Sequence, residues 1–116
     1  MTTTTLVLVR HGKTLNNERG ILQGHLDDEG CQLTARGREE ARLLGASWSS
    51  WADGPVFAGV YSSDLGRAMS TTRLCVQEMK GIADADVDSL ITKDERLRER
   101  YLAALQGRPV SEIRHL

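Results

Sequence analysis

Aromatic side chains are scarce: two tryptophans, two tyrosines and one phenylalanine in 116 residues. Charge of one sign is equally lacking, because fifteen lysines and arginines meet sixteen aspartates and glutamates for a formal net charge of −1. These two deficits remove the electrostatic and stacking reasons to expect a nucleic acid or an anionic membrane as partner. No apolar run approaches the roughly 20 residues of a membrane-spanning helix. The opening Met1-Thr2-Thr3-Thr4-Thr5 lacks the basic n-region of a secretory leader, so the cytoplasm is the expected location. The two cysteines, Cys31 and Cys75, stand at no metal-ligand spacing. A disulfide between them stays open, but two buried or half-buried thiols in a reducing compartment is the simpler reading.

What is present is ordinary globular material, 40% hydrophobic and 27% charged, in a length that allows one domain with a modest core. Leu6-Val7-Leu8-Val9 is a short, unbroken apolar run of the kind found in a strand covered on both faces, and it ends at Arg10-His11-Gly12. Residues 13–32 read as a long loop with one helical turn. Thr34 is the candidate N-cap of a helix whose stripe is Ala41, Leu44, Trp48 and Trp51, broken at Gly54-Pro55. A second strand is expected over 56–61, with Ser62-Ser63-Asp64 as cap candidates for the next helix. That helix presents Leu65, Ala68, Met69, Thr72, Val76 and Met79 on one face. A weaker strand is expected over 87–92, and 94–100 follows as a charged loop. Pro109-Val110-Ser111-Glu112 reads as a helix start with Ser111 as N-cap, and Leu116 arrives before the helix has a body. The alternation of strand and helix predicts an α/β fold with a parallel-type sheet and flanking helices, apparently truncated in mid-element.

Three runs carry chemistry. At the end of the first predicted strand, Arg10 offers a planar fork of donors to a phosphate. His11 can attack phosphorus through an unprotonated ring nitrogen, which neighbouring positive charge favours. Gly12 lets the backbone pass close to an anion, and Thr14 and Asn17 add neutral polar groups. Taken alone, the Arg-His-Gly tripeptide is non-specific, and a histidine at a strand end commonly serves structure. In Tyr61-Ser62-Ser63-Asp64-Leu65-Gly66-Arg67-Ala68 a second strand runs into a helix and puts Arg67 in its first turn, a good place to meet an anion. In Arg96-Leu97-Arg98-Glu99-Arg100-Tyr101, Glu99 is a candidate general acid, since a nearby phosphate favours the protonated form of a carboxyl. Taken by itself, Arg67 reads sooner as a solvated residue of an ordinary capped helix, and the last run as a solvated charged loop.

Together the runs are specific. "LVRHGKTLNN", "GILQGHLDDEGCQLTARGREEARLLG", "VYSSDLGRAMSTT" and "RLRERYLAALQG" resemble, in order and spacing, the N-terminal half of the histidine phosphatase superfamily, the phosphoglycerate-mutase-like proteins. The resemblance implies that residues 1–116 are the N-terminal portion of one such domain. It implies a phosphatase acting on phosphate monoesters of small metabolites, sugar phosphates such as fructose 2,6-bisphosphate, through a phosphohistidine on His11. Arg10 and Arg67 would clamp the phosphoryl group, Asn17, Gln23 and Gly24 would line the substrate side, and Glu99 would donate and then accept the proton. Neither cofactor nor metal is implied, since arginines and histidine supply the positive field. Within the superfamily the nearest likeness is to fructose-2,6-bisphosphatases and broad-specificity phosphatases, with phosphoglycerate-type mutases second. A non-catalytic short form that binds phosphometabolites is the third reading.

The chain departs from the family pattern in four places. Lys13 replaces the usual acid after Arg-His-Gly, and Gln106 replaces a frequent glutamate. Ala103 takes a position that is commonly glycine, where a positive φ would strain the loop. The family's second histidine, carried on a later strand, has no match here. His25 and His115 lack its strand–His–Gly context, and without that strand the first strand has an unpaired edge.

Overall fold

Two helices that cross in close contact organise the chain, whose computed structural model describes residues 3–48 and 57–113. The one-turn helix α1 spans Leu15–Arg19, and α2 spans Ala35–Trp48. After α2 come β1, Val60–Ser62, and α3, Gly66–Lys80. The short α4, Asp84–Val87, leads through a tight turn to β2, Ile91–Lys93, and α5 covers Val110–Ile113. β1 and β2 pair in parallel, Val60 opposite Ile91, with α3 and α4 as the connection between them. Parallel neighbours need such a crossover, so the expected α/β class with flanking helices holds.

α2 begins where Thr34 caps it: its hydroxyl accepts the Gly37 N–H at 3.0 Å. Its buried stripe is Gly37, Ala41, Gly45 and Trp48, while Leu44 is half-buried and Trp51 lies outside the described residues. The small residues matter because α3 comes so near. A Cβ on Gly45 would sit 2.3 Å from the Cys75 carbonyl oxygen, and the Cys75 thiol donates to the Ala41 carbonyl at 3.3 Å. Trp48 and Phe57 meet edge to face beside this contact, centroids 5.6 Å apart. On its other side α3 gives Met69 and Val76 to a cluster with Val87 and Ile91, which seats the helix on the two strands. Both cysteines are buried free thiols.

Three expectations need correction. Residues 6–9 form no strand: Leu6 is 78% and Leu8 89% exposed, and the two-stranded sheet does not include them. A strand exists only through its ladder, and among the described residues nothing pairs with this run. The expected strand over 87–92 is helical and turn-like up to Leu90 and extended only from Ile91. Ser111 is not a cap but the second residue of α5, which starts at Val110. The cap of α3 is also unlike the sequence pattern. Ser63 accepts the Leu65 N–H at 3.2 Å, but the Gly66 N–H goes to Asp27 of the distant loop at 2.9 Å. Asp64 binds Arg98 with both carboxylate oxygens instead.

Candidate active site

His11 is located by the two long helices rather than by a sheet. The Gly12 N–H donates to the Thr71 hydroxyl of α3 at 2.9 Å, and that hydroxyl donates to the Arg67 carbonyl one turn back at 2.8 Å. From the other side α2 presses so closely that a Cβ on Gly12 would lie 2.7 Å from the Gly37 carbonyl oxygen. Only glycine fits there, which is the close backbone approach read from the sequence, though toward a helix.

The imidazole is half-buried, and its Nδ1 lies 2.7 Å from the Gly12 carbonyl oxygen. A carbonyl only accepts, so Nδ1 carries the hydrogen and the lone pair of the neutral ring is on Nε2. Burial is the main influence holding the pKa of His11 below the ordinary 6.5, opposed by the Gly12 carbonyl. The positive charges of Arg67 and Arg10 add to the lowering, while Glu99 raises it. His11 is therefore electrostatically coupled to each of the three charged residues singled out from the sequence.

Those residues fall into two groups. Arg10, His11 and Asn17 line an open basin of about 460 Å³ together with Gly12, Lys13, Arg36 and Glu40. Arg67, Gly24 and Glu99 form the second group by direct contact. Arg67 is 2% exposed, and it donates to the Leu26 carbonyl at 2.8 Å and the Gly24 carbonyl at 2.6 Å. Its Nη2 also reaches the Glu99 carboxylate at 3.3 Å. Gly24 has φ +54, a left-handed backbone that favours glycine, and a Cβ there would meet the Gln106 side chain. Asn17 is split between structure and basin, because its Oδ1 accepts the Thr14 N–H in the capping box of α1. Gln23 is not a basin wall. It is buried and accepts the Thr14 hydroxyl at 2.8 Å, which braces the turn that carries His11.

Sequence reasoning missed Thr71, Arg36 and Glu40. Thr71 had a signal, since it lies four residues after Arg67 and so on the same helix face. Arg36 and its partner Glu40, 2.9 Å apart, had none; only folding brings the start of α2 to Lys13. Ala103 does have a positive φ, +47, as its place in the pattern predicted. His115 lies outside the described residues. His25 is engaged with the Glu99 loop, where its Nε2 meets the Glu99 carbonyl at 2.7 Å. Among the described residues no cluster of His, Cys, Asp or Glu could hold a metal, and no helix is long and apolar enough to cross a membrane.

An imidazole with two arginines and a carboxylate coupled to it thus sits on an α/β frame. The profile of the histidine phosphatase superfamily (branch 1) matches residues 6–116. The chain belongs to that superfamily. It is 36% identical to the fructose-2,6-bisphosphatase TIGAR of Bos taurus over 114 residues, 98% of this chain and 38% of the relative. A broad-specificity phosphatase of Saccharomyces cerevisiae is 36% identical over 92% of this chain and 42% of its own length. A 2,3-bisphosphoglycerate-dependent phosphoglycerate mutase of Parvibaculum lavamentivorans is 37% identical over 88% and 44%. Among solved structures, a mycobacterial glucosyl-3-phosphoglycerate phosphatase complexed with VO3 aligns with TM-score 0.68 at 28% identity, over 90% of this chain and 45% of that one. The chain spans about two-fifths of the length of the curated relatives it matches.

Proposed function

We propose that this chain carries the phosphohistidine site of a phosphatase for monoesters of small phosphorylated metabolites. The observation that carries the reading is the orientation of His11: Nδ1–H is tied to the Gly12 carbonyl, so the lone pair is on Nε2 of a ring whose neutral form is favoured by burial and then by positive charge. In the first displacement Nε2 attacks phosphorus and the ester's phosphorus–oxygen bond breaks. The departing alkoxide takes its proton from the Glu99 carboxyl. In the second, water attacks phosphorus, Glu99 takes a proton from the water, and inorganic phosphate leaves with His11 restored. Arg10 and Arg67 neutralise the transferring group, with Arg67 exchanging part of its present bonding to Gly24, Leu26 and Glu99 for phosphate oxygens. Asn17 contacts the substrate in the basin, while Gln23 acts from behind it by bracing Thr14 and Gly24 by holding Arg67. Likeness to TIGAR supports fructose 2,6-bisphosphate as a substrate of the class.

The experiment is acid-labile phosphoenzyme trapping with a labelled phosphoester, wild type against His11→Ala. Label on the wild type and none on the variant is expected; label retained by the variant overturns the nucleophile. A second reading, mutase, is favoured by the phosphoglycerate mutase relative. It predicts movement of phosphate between positions of the substrate in place of release as inorganic phosphate. A binding-only form, the third possibility, predicts thermal stabilisation by phosphate without turnover.

A further inference from the structure

We propose that His25 is a positioning residue that locks the Glu99 loop to the loop carrying Gly24. The inference rests on the reading of Glu99 as proton donor, and it concerns a residue that reading does not use.

His25 holds the 99–106 segment at three points across more than seventy positions of sequence. Its backbone N–H donates to Gln106 Oε1 at 2.7 Å, an oxygen that also accepts the Leu102 N–H at 3.4 Å. Its Nε2–H donates to the Glu99 carbonyl at 2.7 Å. Its ring packs on Tyr101, centroids 5.3 Å apart and planes tilted by 46°. The backbone before it is shaped for this task. Gly24 adopts φ +54, a left-handed backbone that favours glycine, and a Cβ there would come within 2.4 Å of the same Gln106 oxygen and push that side chain from its partner.

Arg67 closes the arrangement. It donates to the carbonyls on either side of His25, those of Gly24 and Leu26, and to the Glu99 carboxylate. Glu99 is thus held at its backbone by His25 and at its carboxylate by Arg67, and both holders are set by one three-residue stretch, 24–26. A proton donor helps only when its oxygen stays within hydrogen-bond reach of the leaving group. The acid's main chain is fixed here by a side-chain donor rather than by a sheet. The donor is present in the neutral Nε2–H tautomer and in the imidazolium alike.

The test compares His25→Ala and His25→Gln with wild type in the 116-residue chain by amide hydrogen exchange. Glutamine keeps an N–H that can reach a carbonyl but gives Tyr101 no ring. The alanine variant is expected to speed exchange of the amides of Leu102, Gln106 and Gly107 by about five-fold, with those in the middle of α3 unchanged and glutamine recovering part of the protection. Unchanged exchange in His25→Ala overturns the proposal, whether or not the chain turns over. Loss of protection through α3 as well would mean general unfolding, and His25→Gln then decides: wild-type exchange throughout 99–107 supports the latch, and a loop as open as in alanine overturns it. The catalytic readout is dependence on the leaving group. Alkyl phosphates need a proton and should slow by about ten-fold in kcat with alanine, while p-nitrophenyl phosphate, which does not, should stay within about two-fold. Equal slowing of both overturns the positioning role. Glu99→Gln checks the acid separately: absence of leaving-group dependence there overturns the acid, and a loosened loop in His25→Ala would still support the contact.

Discussion

Arg67 is where stability and chemistry meet, so its replacement makes the sharpest prediction. The guanidinium is buried and spends two charge-assisted bonds on loop carbonyls, at 2.8 and 2.6 Å. Each such bond is worth about 1.5–3 kcal/mol. The ion pair with Glu99 adds little, because that carboxylate is half exposed, at 50%. Arg67→Met fills similar volume without donors and should cost about 3 kcal/mol, toward the low end of the sum because the freed carbonyls can turn to water. Arg67→Lys keeps the charge but cannot reach both carbonyls with a fork, so about half that loss is expected. Against a total of about 5–15 kcal/mol, the methionine variant is strongly weakened. Urea titration followed by tryptophan fluorescence measures both. Removing the positive charge also takes away one influence lowering the pKa of His11, so its NMR titration midpoint should rise in the methionine variant and move less in the lysine one. A methionine variant within about 1 kcal/mol of wild type, with the His11 midpoint unmoved, would refute the account of Arg67 as a buried tie.

Three further outcomes are expected. Ala103, at φ +47, pays roughly 1–2 kcal/mol for its left-handed backbone, so Ala103→Gly should stabilise its loop by about 0.5–1 kcal/mol net of glycine's entropy; a lower midpoint in thermal unfolding, or faster loop exchange, would contradict the strain. His11 is held below 6.5 in the folded chain, so as pH falls through 6.5 the unfolded chain takes up a proton that the folded one refuses. Its effect on stability is nil above pH 6.5, grows as a destabilisation as pH falls toward the folded pKa and stays constant below it, and the acid limb of phosphoenzyme formation should lie under 6.5. Rapid-quench trapping across pH checks the limb, and a limb above 6.5 would count against a neutral, buried nucleophile. Burial pushes the Cys75 thiol up to about 11 and raises Cys31, where Asp28 adds to the effect. Neither should react with Ellman's reagent in the native chain at mild alkaline pH, and both should on denaturation.

Local rules were enough wherever the determinants were local. α2 and α3 follow from periodicity and from Thr34, because a helix closes its own hydrogen bonds. The α3 cap was misread because the partner of the Gly66 N–H is Asp27, 39 positions away, while Asp64 is drawn off by Arg98. Arg10, His11, Asn17, Arg67 and Glu99 could be picked out from the order of their motifs, but their division into a basin and an Arg67–Glu99 contact is a product of folding. Gln23 was recognised as belonging to the site but not as the brace of Thr14, since the pattern carries a residue's presence and not the direction of its side chain. His25 was passed over because its three contacts all lie 74 to 81 positions on.

Leu6–Val9 shows most directly what a sequence pattern can and cannot imply. The run has the composition of a central strand, and composition reports what a segment needs: cover on both faces and ladder partners on both edges. Whether those partners exist is a property of other segments, and the β1–β2 sheet supplies none. One would expect the residues that follow to drift with it. They do not, because Gly12 is tied to Thr71 and wedged against Gly37, two contacts that come from α3 and α2. The anchoring of His11 is therefore separable from the pairing of the segment before it. A pairing partner for 6–9 would remove the exposure of Leu6 and Leu8, but the backbone of Gly12, whose carbonyl orients the imidazole, is already held by the helices.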